Sequence, residues 1–313
     1  MEDPLDIIDV KVVHFGLGPL GAVIARLVAE REGLVSVAAI DLTPSRAGRD
    51  LGDIAGLGAT TGLVVEPSPI LLRDLEADIV IYVPEVDPES AIVDLEACLE
   101  AGLNVVTVFP ALAYPPDDDE DELASSIDTL ASEAEVTTLA LDPSDALLGT
   151  LPLTLTAMAA SVDKIVIRRR AAPSAAGRLS LADWATMLAE SLGWSLDDLD
   201  ERDDRPDIGR GVHRVVGSVN GREVMVVEVA SEPDRTESVL DIEVSGSPSL
   251  KLSLSGGGSA EQSVAALVVN AIPRVLMAEP GLYTLAELPP VHCWTSLGLL
   301  PAPDDEDEFD DDE

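Results

Sequence analysis

The residues with the clearest chemical grammar are three glycines and an acid: Gly16, Gly18 and Gly21 within Gly16-Leu17-Gly18-Pro19-Leu20-Gly21, and Asp41 beyond them. An apolar run, Val12-Val13-His14-Phe15, precedes the glycines. The amphipathic stretch Ala22–Glu30 follows, and a second apolar run, Val35–Ile40, closes on the acid. Strand, glycine turn, helix, strand, carboxylate is the order a dinucleotide site requires. Gly16 permits the tight turn, Gly18 lets backbone approach a diphosphate, and Gly21 lets the helix pack on the strand. The helix start would then offer unpaired N–H groups and a favourable dipole to the phosphates. Gly16, Leu17, Gly18, Pro19, Leu20, Gly21 and Asp41 are therefore the expected cofactor-binding residues.

Asp41 would accept hydrogen bonds from the ribose hydroxyls and repel a 2′-phosphate, which favours NAD over NADP. Arg46 and Arg49 follow in the polar segment Thr43–Gly52. A guanidinium there can hold a 2′-phosphate, or it can pair with neighbouring acids.

The elements that must position these groups alternate. Ala77–Pro84 and Asn104–Pro110 read as buried strands that stop at prolines, and Val136–Leu141 as a further strand. Helices are expected over Pro88–Ala101, ending at Gly102, and over Glu122–Glu133, with a shorter amphipathic piece at Pro69–Glu76. Strands alternating with helices imply a doubly wound, Rossmann-type parallel sheet over residues 1–150, with ligands beyond the carboxyl ends of its strands. Val83 and Pro84, which open the loop Val83–Asp87, join the cofactor-binding set. The loops Phe109–Pro115 and Asp142–Asp145 complete the expected mouth.

Beyond Leu155 the pattern changes. Asp163–Arg169 alternates like a strand, and Ser180–Leu192 reads as a helix with Asp183 as capping-box partner and Gly193 as terminator. Gly211–Val219 and Arg222–Ala230 flank Asn220-Gly221, a two-residue hairpin signal. Val239–Val244 and Ser249–Leu254 form another pair. Residues 151–258 are thus expected to be a second, α+β domain on an open, mostly antiparallel sheet. Ala260–Met277 returns to helix with Pro273 inside it, and the acidic tail 303–313 is expected to be disordered.

Composition excludes other classes. The 59 acids against 19 bases leave a net charge of −40, which repels nucleic acid and anionic membranes. Such crowded carboxylates resemble the proteins of cells that accumulate salt, and stability is expected to fall as salt is withdrawn. Cys98 and Cys293 are too few for a disulfide framework. The run Asp117–Glu122 reads as a solvated helix start rather than a metal site, so no metal is expected. No leader and no membrane span are visible, and the expected location is cytoplasmic. His14 reads as a packed strand residue, His213 as an exposed hairpin residue, and His292 lacks partners; none is assigned a role.

The layout resembles the dihydrodipicolinate reductase-like dehydrogenases, and within them 2,4-diaminopentanoate dehydrogenase and its relatives. The resemblance rests on Gly16–Gly21, Arg49-Asp50-Leu51-Gly52, Ala101–Val106, Ala113-Tyr114-Pro115, and above all Val269-Asn270-Ala271-Ile272-Pro273-Arg274-Val275 with Glu279-Pro280-Gly281-Leu282-Tyr283-Thr284. It implies oxidation of an amine-bearing carbon with NAD(P), giving an imine that water hydrolyses to a ketone and ammonia. It also implies that the helix after Ser259, within 259–300, packs back on the nucleotide domain, and that subunits associate through the second sheet as a homodimer or homotetramer. The chain departs from the family after Val108-Phe109-Pro110-Ala111, where acids are usual, and at Asp142-Pro143-Ser144-Asp145, where Asn-Pro-Gly is usual. It also lacks the histidine pair and lysine of true dihydrodipicolinate reductases, having Arg168-Arg169-Arg170 there.

Amine oxidation needs a base for the ammonium group and an activated water. Asp142, Asp145 and Glu85 are the candidates by strand-end position, Asp142 first, although a helix cap or a solvated acid is the plainer reading of each. Strand alternation sends Arg168 and Arg170 to one face, where they could hold a substrate carboxylate or pair with neighbouring acids. Asn270, one helical turn from Arg274, could reach the site or dock the helix. The expected function is an NAD(P)-dependent oxidoreductase acting on the CH–NH2 group of a small amino or diamino acid. The alternatives are a non-catalytic dinucleotide-binding protein and a reductase of another C=N or C=O substrate.

Overall fold

The computed structural model describes residues 9–114, 122–142, 151–172, 181–204, 210–256 and 260–294. The acidic tail, Ser180, Asp145 and most of the run Asp117–Glu122 lie outside these residues.

The first unit carries β1 (Val10–Phe15), α1 (Pro19–Glu30), β2 (Leu34–Ile40), α2 (Leu51–Ala55), a 3-10 turn at Pro69–Asp74 and β3 (Ile79–Tyr82). It continues with α3 (Pro88–Glu100), β4 (Asn104–Thr107), α4 (Pro110–Ala113), α5 (Glu122–Glu133) and β5 (Thr137–Ala140). α6 (Leu151–Thr156) leads into the second unit. That unit holds β6 (Ser161–Ala171), α7 (Leu181–Ser191), β7 (Asp198–Asp203), β8 (Gly211–Val219), β9 (Arg222–Ser231), β10 (Val239–Ser247) and β11 (Leu250–Ser255). α8 (Ala260–Val275) and β12 (Gly281–Tyr283) return to the first.

The first sheet is six-stranded and parallel, in the order β12-β5-β4-β3-β1-β2. Successive side chains point to opposite faces, and helices cover both. Val12, Ile79, Ile81 and Leu139 pack under α1 and α8, where Ile24, Val28, Val268 and Ile272 meet them. Val13, Val80, Val105 and Ala140 pack under α3 and α5, against Leu95, Leu99 and Ile127. Two covered faces explain why these strands read as unbroken apolar runs.

α8 lies on α1. The C-terminal arm then adds β12 beside β5, where Gly281 N–H donates to the Val136 carbonyl at 3.0 Å and Leu282 N–H to Asp128 Oδ1 at 2.8 Å. β12 was not foreseen, because three residues are too short for a periodic signal.

The second sheet runs β11-β10-β6-β9-β8-β7. Its pairings are antiparallel except β6 with β9, which is parallel. Asn220 and Gly221 close the β8–β9 hairpin with φ of +51° and +71°, the pair of left-handed residues that a type I′ turn needs. α7 covers one face, where Leu181, Trp184 and Leu188 meet Ile165, Ile167, Met225, Val227, Leu240 and Ile242. The opposite face carries ion pairs: Arg170 with Asp241 at 2.6 Å, Lys251 with Glu243 at 2.8 Å, and Arg168 with Glu243 at 3.8 Å.

One strand was not foreseen, and one expectation changes. The acidic segment Asp198–Asp203 is an edge strand, formed although it has almost no apolar alternation, since charge on an edge deters further pairing. His213 is not exposed; it is only 3% accessible and its Nε2 lies 2.6 Å from Glu201 Oε1.

Candidate functional site

Gly16 has φ of +91°, and a methyl group on it would overlap the Val83 carbonyl oxygen. The β1 turn therefore crosses the end of β3 in direct backbone contact, which no other residue permits. Gly21 is equally constrained: a Cβ there would strike the Gly16 carbonyl, so α1 starts tight against the turn. The helix begins at Gly18 with Pro19 in its first position, no side-chain cap and no acid in its first turn. The Leu20 and Gly21 amides consequently face outward at the positive end of the helix dipole.

Asp41 leaves the end of β2 and turns toward this loop. Its Oδ2 accepts the Leu17 amide at 2.7 Å and Arg46 Nε at 2.7 Å, while Oδ1 accepts the Thr43 amide at 2.8 Å. Only 2% of Asp41 is exposed. Burial pushes its pKa up, but the Leu17 and Thr43 amides and the Arg46 guanidinium outweigh that and hold the carboxyl below its usual range. Arg46 also donates to Thr43 Oγ1 at 2.8 Å and pairs with the Glu85 carboxylate. That carboxylate rests against Gly18, where it would overlap any added Cβ.

These contacts edge an open cleft that brings together Gly16, Asp41, Arg46, Val83, Pro84 and Glu85. It lies at the carboxyl ends of β1, β2 and β3, the place the strand-end rule marks. Arg46 reaches it and Arg49 does not. At one wall the Tyr82 hydroxyl donates to Asp94 Oδ2 at 3.2 Å, and the Phe15 ring meets Tyr82 at a tilt, with centroids 4.8 Å apart. Burial raises the Asp94 pKa, partly offset by the Tyr82 hydrogen bond. Sequence reasoning passed over Thr43 and Asp94. The second had a signal: an acid at helical spacing among Ala91, Leu95 and Cys98, on the buried face of α3.

The other candidates lie elsewhere. Asp142 follows β5, is 6% exposed, and sits three strand positions from β1, on the order of 14 Å across the sheet at the usual strand spacing. Asp145 is not among the described residues. Arg168 and Arg170 sit on the uncovered face of the second sheet, paired with β10 acids. Asn270 accepts from Arg31 Nη1 at 3.3 Å. Arg31 caps the far end of α1 from the glycine turn and stacks on Trp294 at 4.7 Å. The Asn270 contact thus docks α8 on α1 about 18 Å along the helix from its start. Among the described residues no cluster of metal-ligating side chains occurs, and no helix is long and apolar enough to cross a membrane.

The residues of the cleft fit a dinucleotide. An uncapped helix start offers donors for a diphosphate, a buried ionised carboxylate follows the second strand, and Gly16 and Gly21 let the turn pack against β3 and α1, with the half-exposed Glu85 side chain resting on Gly18.

Comparison with known proteins agrees with this fold. Residues 208–298 match the 2,4-diaminopentanoate dehydrogenase C-terminal domain family. The chain is 22% identical to 2,4-diaminopentanoate dehydrogenase of Acetoanaerobium sticklandii, across 90% of this chain and 93% of that protein. Among solved structures, an amine dehydrogenase from Mycobacterium smegmatis superposes with a TM-score of 0.77 at 21% identity, covering 91% of this chain and 98% of the other. Dipicolinate-bound dihydrodipicolinate reductase from Paenisporosarcina sp. TG-14 gives 0.60 at 16% identity, covering 88% and 98%. The chain therefore has the fold of the dihydrodipicolinate reductase-like dehydrogenases, and its residues 208–298 match the C-terminal domain of 2,4-diaminopentanoate dehydrogenase.

Proposed function

We propose that the protein is an NAD(P)-dependent oxidoreductase acting on the CH–NH2 group of a small amino or diamino acid. The observation that carries this reading is the uncapped start of α1, held by Gly16 and Gly21 against the end of β3 and flanked by the buried Asp41 carboxylate. The relatives support the substrate class by name: one is a 2,4-diaminopentanoate dehydrogenase and one an amine dehydrogenase.

A nicotinamide bound in this fold supplies a hydride acceptor. The chain's own part is placement. The Leu20 and Gly21 amides hold the diphosphate, and Asp41 grips the adenosine ribose through the acceptor capacity that Leu17, Thr43 and Arg46 leave. Glu85, with a side chain 39% exposed, swings off Gly18 to admit the phosphates. Ionised Asp41 disfavours a 2′-phosphate, so NAD is the preferred partner. Asp142, at the end of β5, is the first choice for the base that takes the ammonium proton, with Asp145 as second. The protein works as a homodimer or homotetramer in the cytoplasm and binds neither nucleic acid nor membrane.

Titrating NADH and NADPH into the protein at about 2 M KCl, where carboxylate repulsion is screened, gives the first test. NADH is expected to bind more tightly. A panel of amino and diamino acids with NAD, followed by absorbance of the reduced cofactor, gives the second. Binding without turnover on any amine, imine or carbonyl would favour a non-catalytic dinucleotide-binding protein. Failure of both dinucleotides to bind removes the oxidoreductase reading altogether.

A further inference from the structure

Arg46 stands between two acids. Among the described residues its ion-pair partners are Asp41, met by Nε at 2.7 Å, and Glu85, met by Nη2. Nη2 also donates to Thr43 Oγ1 at 2.8 Å. One cation thus faces two anions, which leaves this edge of the cleft with surplus negative charge. Asp41 alone does not make the surplus, because Arg46 balances it; the second carboxylate, from Glu85, does.

How the guanidinium is engaged decides what else it can hold. A guanidinium grips an anion through two parallel N–H groups, and it has two such edges, Nε with Nη2 and Nη1 with Nη2. Both edges run through Nη2, which already donates to Thr43 and Glu85, while Nε donates to Asp41. A 2′-phosphate on the adenosine ribose needs one of these edges, so one partner has to leave. Asp41 is buried and fixed by the Leu17 and Thr43 amides. Thr43 belongs to the same turn as Arg46, whose amide donates to the Thr43 carbonyl at 3.0 Å. Glu85 is half-exposed and reaches Arg46 from the separate loop after β3. Glu85 is therefore the exchangeable partner.

Its backbone cannot follow a displaced side chain far. On one side the Val83 amide donates to the Phe15 carbonyl at 2.8 Å, and on the other Asp87 caps α3 by accepting the Ser90 amide at 3.0 Å. Glu85 lies between these two anchored residues, so any adjustment falls to its side chain.

We propose that Glu85 selects the coenzyme: by holding Arg46 Nη2 it withholds the guanidinium from a 2′-phosphate, so that the chain takes NADH over NADPH. This inference rests on the dinucleotide site proposed above and names the side chain that discriminates within it. NADH requires the Glu85 carboxylate only to turn off Gly18, with its pair to Arg46 kept. NADPH also requires that pair to break, and the anchored loop then keeps the displaced carboxylate close to the phosphate. Without the Glu85 charge, Asp41 and Arg46 balance each other and Nη2 becomes available to the phosphate.

The test measures binding rather than turnover. NADH and NADPH are titrated into the full chain at about 0.5 M and about 2 M KCl, with fluorescence of the reduced ring as the readout, for the parent, Glu85→Gln and Glu85→Ala. The parent is expected to bind NADH more tightly. Glu85→Gln keeps an acceptor for Nη2 without the charge and Glu85→Ala removes both, so affinity for NADPH relative to NADH is expected to rise in that order, about tenfold for alanine. The shift should shrink at the higher salt, where charge is screened. In an Arg46→Met background Glu85→Ala is expected to move both coenzymes alike, since the partner it withholds is gone. The inference is overturned if the parent takes NADPH as readily as NADH, if the ratio stays within about twofold of the parent in both Glu85 variants, or if alanine shifts it equally without Arg46. Binding of both coenzymes with an unmoved ratio sinks this inference alone, whereas binding of neither sinks the proposed function and this selection with it.

Discussion

In the first sheet, β3 and β5 bury every residue from Ile79 to Tyr82 and from Thr137 to Ala140. In the second, β10 alternates buried with partly exposed positions, and β11 is mostly exposed. The cause is the number of layers. Helices close both faces of the first sheet, whereas α7 closes one face of the second. Among the described residues the buried acids of the first sheet's unit are Asp94 on α3 and, just after strand ends, Asp41 and Asp142, of which Asp41 is held by backbone amides. In the second sheet they spread over the open face and pair with Arg168, Arg170 and Lys251. The first region thus concentrates charge where a ligand would use it, and the second uses charge to keep a wide sheet solvated.

The sharpest way to break the comparison is Gly16→Ala. A left-handed φ and overlap with the Val83 backbone are expected to cost about 4 kcal/mol and abolish dinucleotide binding; denaturant unfolding and NADH fluorescence read both. Leu188→Ala, in the fully buried seam between α7 and the second sheet, is expected to cost about 3 kcal/mol. Its NADH affinity should stay within about twofold of the parent if the two units act separately by the additivity of distant sites; a larger loss shows that they are one cooperative body.

His14 sharpens the first half of the comparison. Burial in β1 lowers its pKa from 6.5 to about 4, so the fold favours the neutral ring. The associated stability is present above pH 6.5 and is lost as pH falls from 6.5 toward 4, in all about 3 kcal/mol. His14→Gln should remove that slope relative to the parent in urea unfolding at matched pH. Smaller still is Glu85→Gln, which takes a negative charge from beside Gly18. NADH affinity is expected to rise about fivefold, on the order of 1 kcal/mol, and an unchanged affinity would show that Glu85 does not compete with the phosphates. The smallest effect belongs to the open face. Asp241→Asn, breaking a pair whose arginine is 42% exposed, is expected to cost less than about 1 kcal/mol at 0.1 M KCl and nothing measurable at 2 M.

Much of the first region was legible from residue order, because its signals are local. The glycine spacing, the prolines after β3 and β4, and the apolar runs each report a backbone requirement satisfied within a few residues. The boundaries of α5 and β8 fall where periodicity put them. The second region was less legible. β7 is an acidic strand recognisable only from the strand it pairs with. The parallel pairing of β6 with β9 depends on how the chain crosses the sheet. His213 reads as a surface residue until β7 is laid beside it.

Sequence alone determined that Gly16, Gly18 and Gly21 form a turn before a helix, that Asp41 ends the next strand, and that Arg168 and Arg170 share a face opposite Arg169. Turn geometry and side-chain periodicity are properties of short segments, so order suffices for them. Only the tertiary structure decided that Asp41 faces the glycine turn rather than solvent, that Glu85 leans on Gly18, that Asn270 docks on Arg31, and that Arg168 and Arg170 pair with acids of β10. Those outcomes depend on which distant strands become neighbours and which face a helix covers, and burial of apolar surface across the whole chain sets both.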